Sequence, residues 1–179
     1  MQIRPERVED IENIWDLDHD AFLEDPHHEP GSEPMEPKIV DELRAEGQLT
    51  LSLVADDEGV LTGHLAVSPV RVAGADLGWF GLGPVAVSPE RQNQGIGSSL
   101  IWSAVEELQE RGAAGLVVLG DPGYYERFGF RAVPEMRLEN VPPEYFMVLP
   151  FKSKIPGGFV TYQDAFYQGT ELENPIARD

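Results

Sequence analysis

From Trp79 to Arg111 the chain passes from a short apolar stretch through Gln92-Asn93-Gln94-Gly95-Ile96-Gly97 straight into a helical repeat, so a strand must deliver the chain to a helix N-terminus. Trp79-Phe80-Gly81-Leu82-Gly83-Pro84-Val85-Ala86-Val87, bounded by Ser88-Pro89, reads as a buried strand. Beyond the turn, Ile96, Leu100, Ile101, Ala104, Val105 and Leu108 recur at helical spacing until Gly112 stops the helix. The first amides of such a helix have no intrahelical acceptor and lie at the positive end of its dipole, so the junction predicts an anion site. Gly95 and Gly97 would let a phosphate approach the backbone with no Cβ in the way. No Gly-Lys-Ser/Thr follows, which excludes a P-loop, and the third glycine and ribose-binding acid of a dinucleotide fold are not evident. Proline cannot donate to a sheet ladder, so Gly83-Pro84 marks a bulge or local splay, or else an edge.

The other elements follow in order without a linker or internal repeat. Gln2 to Arg4 reads as a first strand, and Val8 to Phe22 as a helix with Ile11, Ile14, Trp15 and Phe22 facing inward. Leu23 to Glu36 is acidic, proline-rich and without period, hence a loop. Pro37 opens a second helix that ends near Gly47. Thr50 to Ala55 and Val60 to Val70 read as strands joined at Asp57-Glu58-Gly59. Gly115 to Leu119 is a buried strand and Tyr124 to Phe128 a short helix. Met136 to Leu138 and Tyr145 to Phe151 are late strands, and the tail from Gln168 is expected to fray. This order argues for an α/β domain around one twisted, mixed sheet.

With 179 residues the chain is long enough to bury a core. No run approaches a membrane span, and the Met1-Gln2-Ile3-Arg4-Pro5 start does not read as a signal peptide, so a cytoplasmic protein with no membrane partner is expected. The absence of cysteine excludes disulfides, thiolate metal sites and a Cys nucleophile. Lys and Arg number 13 against 32 Asp and Glu, a net charge of −19, so nucleic acid is not an expected partner. Acids occur all along the chain and lysine is confined to Lys38, Lys152 and Lys154, a pattern that favours a solvated, salt-tolerant, halophilic surface over a field for a cationic substrate. His27-His28-Glu29 lies in the acidic loop and is expected to be solvated or lid-like; no metal site is expected.

The Gln-x-x-Gly-x-Gly turn resembles the acyl-CoA pyrophosphate loop of the GNAT superfamily of N-acetyltransferases. Gly83-Pro84-Val85-Ala86-Val87-Ser88-Pro89 is similar to the strand that lines pantetheine in that family. Gly120-Asp121-Pro122-Gly123-Tyr124-Tyr125-Glu126-Arg127-Phe128-Gly129-Phe130 is similar to its Tyr-x-x-x-Gly-Phe segment. Within the superfamily, these segments and Pro143-Glu144-Tyr145-Phe146-Met147 look most like the YhbS-type predicted acetyltransferases. The resemblance implies a single GNAT-like domain over residues 1–167, with 168–179 as a tail and a splayed strand at the cofactor site.

It also implies direct attack of a primary amine on acetyl-CoA through a tetrahedral intermediate, with no covalent enzyme intermediate. Backbone groups of Val85, Ala86 and Val87 would line pantetheine, and an amide near Val85 would stabilise the oxyanion. Gln92, Asn93, Gln94, Gly95, Ile96, Gly97 and Ser98 would hold the pyrophosphate. Tyr125 would protonate the departing thiolate, with Tyr124 as the alternative. No acid stands at the Leu82 to Val87 end of the strand, where many relatives carry a base; Asp76, His64, Glu29, Glu33 and solvent remain open. The acceptor, whether a small molecule, a peptide terminus or a lysine side chain, carries no recognisable signature. A homodimer through the late strands is left open. The rival reading is an acyl-CoA-binding sensor or interaction module that performs no transfer.

Overall fold

The computed structural model describes residues 1–167; the expected tail, 168–179, lies outside the described residues. In chain order the elements are β1 (Gln2–Pro5), α1 (Ile11–Leu23), α2 (Glu36–Ala45), β2 (Leu51–Asp57), β3 (Val60–Pro69) and β4 (Arg71–Val72). They continue as β5 (Trp79–Val87), α3 (Ile96–Glu110), β6 (Gly115–Leu119), α4 (Pro122–Tyr125), β7 (Met136–Arg137), β8 (Phe146–Pro150) and β9 (Gly158–Thr161). The described residues divide into two compact units, the first comprising 1–67 and 83–104 and the second 68–82 and 105–167.

In the first unit β1, β2 and β3 form an antiparallel ladder. The β2–β3 hairpin turns on Glu58 and Gly59 with φ of 55° and 89°, the left-handed pair that a two-residue loop between twisted strands requires. The Gly59 amide donates to Asp56 at 2.7 Å. Helix α2 closes at Gly47 (φ 70°), where Gln48 N–H donates to the Leu43 carbonyl and Gly47 N–H to that of Arg44, so the last orphan carbonyls are satisfied. Helix α1 buries Ile14, Leu17, Asp18 and Ala21. That stripe is offset from the expected one: Trp15 and Phe22 are only half-buried, and an aspartate sits in the middle of the buried face. The expected first turn at Val8 is a separate 3-10 turn, Val8–Asp10, with Val8 exposed.

Gly63, midway along β3, decides how close the start of α3 can lie. A Cβ there would stand 2.8 Å from Ile96 Cγ2 and 2.9 Å from Leu100 Cδ1. Both side chains are buried. A second tie is ionic: Arg4 donates to both oxygens of Asp10 (2.7 and 3.1 Å) and to Asp56 (3.0 Å), while Asp10 also accepts from the Arg7 amide at 2.7 Å.

In the second unit β5 and β6 run parallel and β6 and β8 antiparallel, so the sheet is mixed, as expected. The β5–β6 pairing covers Trp79 to Gly81 and ends at Gly81↔Val117, three residues before Pro84. The β8 side of β6 is paired throughout, from Gly115↔Pro150 to Leu119↔Phe146. Val118 and Leu119 lie beyond that register, in line with the irregular pairing expected at Gly83-Pro84. A second, three-stranded sheet, β4-β9-β7, contains the strand expected at Met136, but β4, only two residues long, and β9 were not anticipated from the sequence. Residues 124–128 divide between the end of α4 and a 3-10 turn, Glu126–Phe128.

Two outcomes follow for stability. The hydrogen bonds from Arg4, working against burial, hold the Asp10 carboxyl below its usual range. A depressed carboxylate contributes stability present above its unfolded value, about 3.9, and lost as pH falls through the folded value. Asp10→Asn should therefore destabilise by about 1.5–3 kcal/mol at pH 7 and show a flatter acid limb in urea titrations than wild type. Gly63→Val should cost about 1–3 kcal/mol in the same titrations by overpacking against Ile96 and Leu100.

Candidate functional site

Strand β5 leaves the sheet at Val87, makes a 3-10 turn at Pro89–Arg91 and enters α3 through two left-handed residues, Asn93 (φ 61°) and Gly95 (φ 83°). The first bond of the helix is Ser99 N–H to the Gly95 carbonyl at 3.0 Å, and the Ser99 hydroxyl donates to the same oxygen at 3.0 Å. Ile96 and Gly97 thus lie ahead of the hydrogen-bond ladder, and helix geometry leaves their amides without intrahelical acceptors. A Cβ at Gly95 would meet no atom within 4 Å, so the helix start opens on free space. The Ile96 side chain is buried, its contact at Gly63 fixing where these amides sit.

The side chains around the turn brace it. Gln92 donates from Nε2 to the Val87 carbonyl at 3.4 Å, and Gln94 donates to the Glu90 carbonyl at 3.4 Å while accepting from Arg91 Nε at 3.2 Å. Arg91, the cation of this loop, donates to Asp57 at the hairpin end (3.0 Å). Gln92, Asn93, Gln94 and Gly95 are exposed, and Gly97 and Ser98 half-buried. On β5, Ala86 is buried and Val85 and Val87 are half-buried. The structure thus brings residues 85–98 into one stretch of the first unit. Gly63 and the Arg91–Asp57 tie were missed in the sequence; a glycine inside an apolar strand was the available signal for the former.

Tyr125 belongs to the second unit and is half-buried. Asp121 caps α4 by accepting from the Gly123 amide at 2.9 Å, with Pro122 beginning the helix. A Cβ on Gly120 would stand 2.5 Å from Tyr125 Cε2, so only glycine admits the ring at this place. Phe130 meets that ring edge-on at 5.9 Å, as does Tyr124 at 5.1 Å. Burial pushes the Tyr125 phenol above the ordinary tyrosine range. Its hydroxyl has no hydrogen-bond partner among the described residues, a free donor on a fixed ring. Tyr124 instead carries Arg127 over its face at 4.6 Å, and its carbonyl accepts from Arg127 Nε at 2.9 Å. In the same unit Ser68 Oγ and the Tyr162 hydroxyl are buried without partners.

The open question of a base narrows. His64 is fully buried, its Nδ1 3.0 Å from both Asp18 oxygens and its Nε2 2.8 Å from Ser52 Oγ, so neither ring nitrogen is free for an amine. Asp76 is an exposed turn residue accepting from the Gly78 amide. Glu33 pairs with His19 at 3.0 Å, and that hydrogen bond, with the one that Asp20 accepts, raises His19. Glu29 is exposed. His28 Nε2 lies 2.8 Å from the Ser32 carbonyl. Among the described residues no group of three or more His, Asp or Glu could hold a metal ion, and no helix is long and apolar enough to cross a membrane.

Known proteins resemble this arrangement along most of the chain. A solved GNAT family acetyltransferase from Brucella melitensis, in complex with acetyl-CoA, is 45% identical, covers 92% of this chain and 97% of its own, and has a TM-score of 0.80. Escherichia coli YhbS, a GNAT family N-acetyltransferase in complex with CoA, is 34% identical over 94% of this chain and 93% of its own, with a TM-score of 0.84. The uncharacterized N-acetyltransferase YhbS of Escherichia coli strain K12 matches in sequence at 49% identity over 96 residues, 53% of this chain and 58% of that protein. The chain thus matches little more than half the length of this curated relative. Residues 2–133 match the family described as an acetyltransferase (GNAT) domain. With this match reaching from β1 past α4, the chain belongs to the GNAT acetyltransferase family.

Proposed function

We propose that the protein is an N-acetyltransferase that moves the acetyl group of acetyl-CoA to a primary amine by direct attack. The observation that carries this reading is the open start of α3, where a Cβ on Gly95 (φ 83°), just ahead of the helical ladder, would meet no atom within 4 Å. The acetyl-CoA and CoA complexes of the Brucella and Escherichia relatives support it. Acetyl-CoA supplies an activated thioester. Amides from Asn93 to Ser98 hold its diphosphate through oriented dipoles, the Gln92, Asn93 and Gln94 side chains framing the turn. Backbone groups of Val85, Ala86 and Val87 align pantetheine as an added strand, and an amide near Val85 takes the developing oxyanion. As the C–N bond forms and the C–S bond breaks, the thiolate takes a proton from Tyr125 and the amine releases its own to water. The acceptor is a small-molecule or peptide amine, and nucleic acid and membrane are not partners.

A silent acyl-CoA sensor is the second reading, favoured by the absence of a carboxylate in β5 and by the sealed His64. Release of free thiol from acetyl-CoA across an amine panel separates the two: turnover with any amine excludes the sensor.

Calorimetric titration of acetyl-CoA should give saturable binding that Gly95→Asp abolishes, since the carboxylate would project into the open space with only a backbone cost of about 1 kcal/mol. Wild-type affinity should rise between low and molar salt, because the Debye length shrinks to about 3 Å and screens the −19 chain from a polyanion. No binding at either salt would overturn the acyltransferase reading.

Tyr125→Phe should lower kcat by about 10²–10⁴-fold with little change in acetyl-CoA affinity. A raised phenol keeps its proton as pH rises, so wild-type kcat should show no descending limb through about pH 9.5, a limit set by the ordinary tyrosine value near 10. Unchanged turnover in Tyr125→Phe would pass the acid's role to Tyr124.

A further inference from the structure

Asp18, His64 and Ser52 stand in the order of a hydrolytic triad: carboxylate to Nδ1 at 3.0 Å and Nε2 to hydroxyl at 2.8 Å. Burial rules out that use. Asp18 and His64 are fully buried and Ser52 is 7% exposed, so no acyl group can reach the serine. The Ser52 hydroxyl continues the chain of contacts to Glu6 Oε2 at 2.5 Å. Glu6 in turn accepts Arg44 Nε at 2.9 Å and Nη2 at 3.0 Å in a two-pronged pair. One connected network thus joins α1, β3, β2, the residue after β1, and α2.

We propose that His64 is an imidazolium donating from both ring nitrogens, and that this buried proton latches α1 and α2 onto the β2–β3 hairpin. The argument is a count of protons. Three links need one each: Asp18 to Nδ1, Nε2 to Ser52, and Ser52 to Glu6. The fork from Arg44 keeps Glu6 ionised: burial works to raise it, but the hydrogen bonds from Arg44 and Ser52 outweigh that and hold it low. The proton between Ser52 and Glu6 is therefore the hydroxyl's own, and Ser52 has none left for His64. Nε2 must donate.

At the other nitrogen, both Asp18 oxygens lie at the same distance. That is the pattern of an N–H shared by a carboxylate; a carboxylic acid donating to a bare nitrogen would favour one oxygen. Charge balance among the groups withdrawn from water agrees: Asp18 and Glu6 carry −2, Arg44 and a protonated His64 carry +2, while Asp41, which also accepts from Arg44, is 49% exposed and stays outside the count. Without the proton the network would hold an uncompensated buried charge. Asp41 pairs with Arg44 at 2.8 Å, and the half-buried Glu36, raised chiefly by burial, feels the charges of Asp18, Asp25 and His28.

The latch is read by nitrogen NMR on the full-length, ¹⁵N-labelled chain at pH 7.5, where a free imidazole is mostly neutral. Both His64 ring nitrogens should appear protonated; a bare nitrogen at either position overturns the assignment. Glu6→Gln removes one negative charge from the balance, so at the same pH one His64 proton should be lost; its retention would overturn the charge argument. The wild-type spectrum decides the assignment even if that variant does not fold. For the mechanical half, His64→Gln should speed amide exchange in α1 and α2 by about tenfold or more while α3 keeps its protection. A uniform change over the three helices, or none, would overturn the latch. None of these readouts requires turnover, so failure of the latch and failure of the acetyltransferase reading are separate results.

Discussion

A proline in a strand has no N–H to give, and that chemical fact at Pro84 organises the rest of the fold around it. Strand β5 carries nine residues, yet its parallel pairing with β6 ends at Gly81. Val118 and Leu119 continue β6 on its β8 side. The same strand then runs into the turn that starts α3, so the interrupted pairing and the open helix end are two products of one continuous segment.

Much of this was legible because backbone chemistry, not tertiary context, dictates it. Gly95 before a helical repeat, Pro84 in an apolar run and Gly112 after Leu108 each state a local requirement that the structure meets, the last with Ala113 N–H returning to the Leu108 carbonyl. The turn from Gln92 to Gly97 was readable for the same reason. What escaped notice depends on partners far away in sequence. Asp18 reads as a surface acid until His64, 46 residues on, is placed against it. Its polarity also misled the helical pattern, shifting the expected inward face of α1 toward Trp15 and Phe22. Gly63 and Gly120 are invisible as packing devices until Ile96, Leu100 and Tyr125 arrive. The strand β4 is too short to carry any period at all.

Charge is arranged with similar economy. A chain so rich in carboxylates has few cations to place, and several arginines work where an acid is partly withdrawn from water: Arg4 with Asp10 and Asp56, Arg44 with Glu6, Arg91 with Asp57. The Arg4–Asp56, Arg44–Glu6 and Arg91–Asp57 pairs join segments distant in sequence, whereas the exposed Arg111–Glu107 pair lies within one helical turn. Exposed pairs contribute little, so the stabilising share falls to the half-buried ones.

The Arg91–Asp57 contact bears on selectivity. Arg91, the cation beside the α3 turn, is already committed to Asp57 of the β2–β3 hairpin, so it is not a free charge for a diphosphate. Recognition in the proposed binding mode then falls to amide dipoles, whose influence fades within a turn of the helix. In that binding mode selectivity for the whole ligand falls to whatever meets the parts beyond the diphosphate.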